Sequence, residues 1–215
     1  MARRGVGQDR RDTTRILIIS NGHGEDTMGV LLGRALRERG LLVAAYPLVG
    51  EGRAYVGADL GLVGVQATMP SGGFILEGSG ALWRDIKAGL LRLTWRQIRA
   101  LRQLRGQFCW AVGVGDVYPL LMNTLFLQCP LVFLPTAKSD YIRPHYGWEV
   151  ALMRKHCRVV FPRDARTAAG LAAQGVAAEY HGNLMMDALD ITDRGFGTGD
   201  RPVIGLLPGS REPEA

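Results

Sequence analysis

Three short stretches of this 215-residue chain set polar side chains among glycines in a way that suits chemistry on oxygen. The first is Ser20 to Asp26 (SNGHGED). Gly22 and Gly24 would let a ligand approach backbone N–H groups at a helix amino end, with His23, Glu25 and Asp26 set to orient hydroxyls and His23 also a catalytic candidate. The two acids also suit a positive helix end by themselves. The second stretch, Gly113 to Asn123 (GVGDVYPLLMN), centres on Asp116. A carboxylate there serves as a helix N-cap or as a general base for an acceptor hydroxyl, and the two roles are compatible. In the third, Leu207 to Arg211 (LPGSR), Gly209 gives a turn while Ser210 and Arg211 offer a hydroxyl and a guanidinium. Those groups fit a nucleotide diphosphate, although a Pro-Gly surface turn accounts for the same residues.

These stretches need elements that bring them to one edge. Short apolar, β-branched runs alternate with helical periods along the chain, the pattern of βαβ units on a parallel sheet covered on both faces. The fold class expected is α/β, Rossmann-like. Strands are predicted at Arg15–Ser20, Leu41–Leu48, Leu62–Gln66, Phe108–Val114, Leu131–Leu134, Arg158–Phe161, Ala177–His181 and Pro202–Leu207. Helices are predicted at Asp26–Arg39, Ala81–Arg105, Val117–Leu127, Trp148–His156 and Asp164–Gln174, with a loop at Pro70–Gly73. In such a sheet ligands bind at the carboxyl ends of the strands, which is where Ser20–Asp26 and Asp116 fall. The dinucleotide fingerprint is absent, because Thr27 stands where its third glycine belongs.

Composition excludes several classes. Hydrophobic residues make up 47% and charged residues 21%, so the chain can bury a core and is not intrinsically disordered over its length. Cys109, Cys129 and Cys157 have neither disulfide nor zinc spacing, and His145, His156 and His181 have no metal-ligand spacing and read as structural. The uncharged run Val117–Ala137 is interrupted by Pro119, Pro130 and Pro135, which argues for a helix and a strand rather than a membrane span. No secretory h-region follows the basic start, so a cytoplasmic location is expected.

The formal charge of +6 is mostly arginine, because only Lys87, Lys138 and Lys155 are lysines. Between Ala81 and Arg105, Arg84, Lys87, Arg92, Arg96, Arg99, Arg102 and Arg105 face a single acid, Asp85. With Trp83, Trp95 and a leucine face, this segment reads as a basic amphipathic helix suited to anionic lipid, or equally as a solvated helix face.

SNGHGED leading into a helix with Gly29, Asp116 followed by Pro119 and Asn123, Phe161-Pro162-Arg163-Asp164, Gly182-Asn183 with Asp187, and the closing LLPGSREPE together resemble the lipid-A-disaccharide synthase family, in particular its synthase-related branch. The resemblance implies a glycosyltransferase B fold. Two Rossmann-like domains would flank a cleft, with acceptor on the amino-terminal domain, a UDP-sugar on the other, and no metal or cofactor. Residues 1–14 would form a disordered basic arm, 15–182 the acceptor domain, 183–200 a linker, and 201–215 the first strand and turn of a truncated donor domain. It further implies a hexosyltransferase acting on a lipid-linked or membrane-associated acceptor, inactive as this fragment, peripheral on the inner face of a membrane. Asp116 matches the proposed base, the Gly24–Asp26 turn the glycine-acid loop, and Arg211 the arginine near the donor diphosphate. A sugar-nucleotide epimerase of the same fold and a non-enzymatic basic module remain alternatives. Nucleic acid is not expected, since no motif for it is present.

Overall fold

Residues 14–65, 90–189 and 204 are described by the computed structural model. The strands are β1 (Arg15–Ser20), β2 (Leu42–Pro47), β3 (Gly61–Leu62), β4 (Trp110–Gly115), β5 (Leu131–Pro135) and β6 (Cys157–Val160). The helices are α1 (His23–Glu38), α2 (Arg53–Gly57), α3 (Leu90–Gln103), α4 (Val117–Met122), α5 (Gly147–His156) and α6 (Ala165–Ala173). The strands form one six-stranded sheet in the order β3-β2-β1-β4-β5-β6, and every neighbouring pair is parallel. This is the expected α/β, Rossmann-like architecture, with the strand order reversing between β1 and β4.

The all-apolar β1 run follows from its place in the middle of that sheet. Leu17 and Ile19 face a core shared with Leu101 of α3, Leu120 of α4, Val150 of α5 and Leu171 of α6. Ile16 and Ile18 face the opposite core, with Met28 of α1 and Tyr55 of α2. Leu17, Ile18 and Ile19 are fully buried, each contributing about 1.5–3 kcal/mol. The helices are therefore unevenly shared between the faces. A helix about 10 Å across covers about two strands spaced about 4.8 Å apart, so α1 and α2 cover little more than β1 to β3. Over β4 and β5 the same face is an apolar groove of about 650 Å³, lined by Leu32, Leu36, Val112, Val132, Leu134 and Phe161 among others.

Several boundaries differ from expectation. Helix α1 begins at His23, three residues before Asp26, because the glycine-rich turn itself enters the helix with Gly22 as an extended N-cap. The short helix α2 was not expected. The helix predicted over Val117–Leu127 ends as α-helix at Met122 and continues as a π-turn over Asn123–Leu127. Asn123 holds the end of that turn through bonds to the Cys129 carbonyl and N–H. The strand expected over Ala177–His181 is reduced to one bridge, Val160 to Ala178. The expected linker starts with a 3-10 turn, Leu184–Ala188, packed on α1. The Pro70–Gly73 loop, all of the expected Pro202–Leu207 strand except Ile204, and Arg84, Lys87 and Trp83 lie outside the described residues. No helix among the described residues is long and apolar enough to cross a membrane.

Candidate active site

The strand order reverses between β1 and β4, and two side chains meet across the carboxyl ends of these strands. Asn21, just past β1, donates from Nδ2 to Asp116 Oδ1 at 2.7 Å, and its Oδ1 accepts from the Asp116 N–H at 3.4 Å. Asp116 is the N-cap of α4, with the same Oδ1 accepting from the Tyr118 N–H at 2.7 Å. The cap and the asparagine thus converge on one oxygen, while Oδ2 has no hydrogen bond among the described residues. Burial raises the Asp116 pKa. The bonds from Tyr118 and Asn21 pull it back, Glu149 raises it, Lys138 lowers it, and the net result is above the ordinary value. A half-buried carboxylate with a free oxygen and raised basicity has the chemistry of a general base.

Gly115 lets this pair form. Its φ of +136° disfavours any side chain, and a Cβ there would fall onto Asn21 Oδ1. The Gly115 position also approaches Glu25 Cγ, at 3.4 Å from a would-be Cβ, and the Glu25 carboxylate lies over Gly22. Gly22, Glu25, Asn21 and Asp116 are therefore one cluster. At the start of α1 no side chain caps the helix, leaving the first N–H groups without an intrahelical partner. His23 is exposed and lies beside Gly50, and Gly24 lies beside Met185 of the 3-10 turn.

Asp26 is placed otherwise. It is 1% exposed and accepts from the Ser20 hydroxyl at 2.6 Å, and that hydroxyl lies 2.8 Å from the Tyr55 hydroxyl. Its carboxylate points into the fold, so it anchors the turn on β1 and α2 rather than offering itself to a ligand. Burial is the main cause that lifts its pKa to about 6, against lowering by Ser20 and His23. Gly209, Ser210 and Arg211 lie outside the described residues.

A third arm of the site was not legible as one. The segment after β5 is tied to β4 by the Thr136 N–H to Gly115 carbonyl bond of 3.0 Å. Beyond it, Lys138 Nζ donates to both carboxylate oxygens of Glu149 at 2.7 Å, while His145 Nδ1 at 3.2 Å and the Tyr146 N–H at 3.0 Å also bond Glu149 Oε2. Burial raises Glu149, but the bonds from His145, Lys138 and Tyr146 outweigh it and bring its pKa down to about 2. Lys138 Nζ also stands 3.9 Å from the centre of the Tyr146 ring. His145, read as structural from its spacing, belongs to this cluster. The Glu149 and His145 spacing of four residues at a helix start was the only signal in the sequence.

No family model and no curated protein matches the chain. Among solved structures, it is similar to MurG of Acinetobacter baumannii, at 17% identity over 72% of this chain and 42% of that one, with a TM-score of 0.46. The glycosyltransferase SsfS6 of Streptomyces sp. SF2575 matches at 20% identity over 69% of this chain and 50% of that one, TM-score 0.43. HepE of Anabaena, in complex with UDP and glucose, matches at 11% identity over 79% of this chain and 44% of that one, TM-score 0.48. The chain spans half or less of the length of each.

Proposed function

We propose that this chain is the acceptor-binding half of a glycosyltransferase that moves a sugar from a UDP-sugar to a lipid-linked acceptor, with Asp116 as general base. The observation that carries the reading is the free Oδ2 of Asp116 at the strand-order reversal, its partner oxygen held by Asn21 and the α4 amide. An acceptor hydroxyl at this edge would give its proton to Oδ2 as its oxygen attacks the sugar carbon and the nucleoside diphosphate departs. The open amides at the start of α1, with Glu25 and His23, would bind acceptor oxygens. The diphosphate would be received by Gly209, Ser210 and Arg211 in a donor domain that opens after residue 200, with no metal required. The arginine face of α3, with Trp95 59% exposed, suits a peripheral position on the inner face of an anionic membrane.

In the full-length protein, Asp116→Asn keeps the cap geometry and removes the basicity, and transfer from UDP-sugars is expected to fall by about 10²–10⁴-fold with the melting temperature nearly unchanged. A near-normal rate would reduce Asp116 to a helix cap.

A further inference from the structure

We propose that Lys138 is a substrate-binding residue of the Asp116 site, recognising a negatively charged oxygen of the acceptor through an N–H that Glu149 leaves free. This rests on the reading of the Asp116 edge as a substrate site. An ammonium group has three donors. Two are committed to the Glu149 oxygens, and among the described residues the third has no hydrogen-bond acceptor. The Lys138 side chain is 15% exposed against 5% for Glu149, so of the pair the lysine lies nearer the surface.

Position supports the same role. Gly115 pairs with Pro135 across β4 and β5, and the Thr136 N–H bonds the Gly115 carbonyl, which sets the segment carrying Lys138 beside Asp116. The charged groups acting on Asp116 from that side are Lys138 and Glu149. Glu149 is itself held at the start of α5 by His145 and the Tyr146 N–H, which fixes the carboxylate that clamps Lys138. The same clamp removes the lysine's usual cost of ordering: Glu149 and the Tyr146 ring hold the ammonium before any ligand arrives. Buried beside them, His145 Nε2 has no hydrogen-bond partner among the described residues. Glu149 is then a positioning residue, acting through Lys138.

The test is titration of this chain with glucose 1-phosphate, glucose and inorganic phosphate, followed by amide and lysine-ammonium NMR. With glucose 1-phosphate, the Lys138 ammonium signal and the amides of Asn21 and Asp116 are expected to shift together. Lys138→Met is expected to weaken that binding about tenfold or more while leaving the response to glucose unchanged. Glu149→Gln keeps the cation but removes the carboxylate that positions it, and is expected to weaken glucose 1-phosphate as well. A shift with inorganic phosphate alone, absent with the sugar phosphate, overturns the proposal, as does an unmoved Lys138 signal in the wild type or equal affinity in Lys138→Met. Should Lys138→Met not fold, the wild-type ammonium signal decides. Turnover of UDP-sugars by the full-length protein is scored separately. Turnover with no Lys138 response sinks only this inference, and a Lys138 response without turnover sinks only the transferase reading.

Discussion

Asp26 and Glu149 are both almost wholly buried, and their carboxyl groups move in opposite directions. Asp26 meets only neutral hydrogen-bond donors at close range, the Ser20 hydroxyl with Tyr55 behind it, and rises to about 6. Glu149 meets Lys138, His145 and a backbone N–H, and falls to about 2. Burial raises both, so the difference lies in the number and charge of the donors. Asp116 stands between them in kind. It has two neutral donors on one oxygen and a mixed pair of charges further off, and it comes out moderately raised. A carboxylate that must exchange a proton with substrate belongs in that middle condition, neither sealed as Asp26 is nor pinned as Glu149 is.

Removing the pinned charge is the strongest way to test this contrast. Glu149→Gln strands Lys138 beside a neutral amide, and a loss of about 3–5 kcal/mol at pH 7 is expected in urea unfolding. Because the folded pKa is depressed, the wild-type advantage is present above the unfolded value near 4.5 and is lost as pH falls toward 2. A variant as stable as wild type at pH 7 would remove the distinction between the two sites. Asp26→Asn should act with the opposite sign. Its folded pKa is raised, so the charged form opposes folding above pH 6 and ceases to do so as pH falls below about 4. A gain of up to about 2–3 kcal/mol at pH 7.5, vanishing near pH 4, is expected from thermal unfolding across pH. A loss at pH 7.5 would mean that the ionised form is welcome where it sits. The smallest change is Asn21→Ala, costing about 1 kcal/mol for the bond to Asp116. Its sharper readout is the Asp116 carboxyl in a carbon-13 titration, which should move further up, since the Asn21 bond lowers it. No movement would show the Asn21 contact to be incidental.

The sequence made Asp116 and the glycine turn legible because their signals are local: a strand run, an acid at its end, a helical period after it. Their arrangement across the strand ends followed from the parallel α/β pattern. What stayed hidden depends on contacts between distant segments. Ser20 and Tyr55 are 35 residues apart and Lys138 and Glu149 are 11 apart, and no periodicity links either pair. The inward turn of Asp26 was missed for this reason, since at a helix start an acid facing solvent and an acid facing a buried serine have the same spacing. Asn123 ends the α4 segment through the Cys129 backbone, which an apolar run alone does not reveal.

The Asn21 to Asp116 bond joins residues 95 apart in the chain. Strands β1, β2 and β3 are linked by short crossovers, and so are β4, β5 and β6, whereas β1 and β4 are the most widely separated of the paired strands. Closing a loop of that length costs about 4 kcal/mol of chain entropy beyond a constant, before the ladder between β1 and β4 offsets it. Contacts of such separation govern the rate at which parallel sheets form. The Asn21 to Asp116 contact therefore exists only once β1 and β4 have paired. The arrangement that frees Oδ2 of Asp116 while holding its other oxygen is thus a product of the two halves of the sheet together, belonging to neither alone.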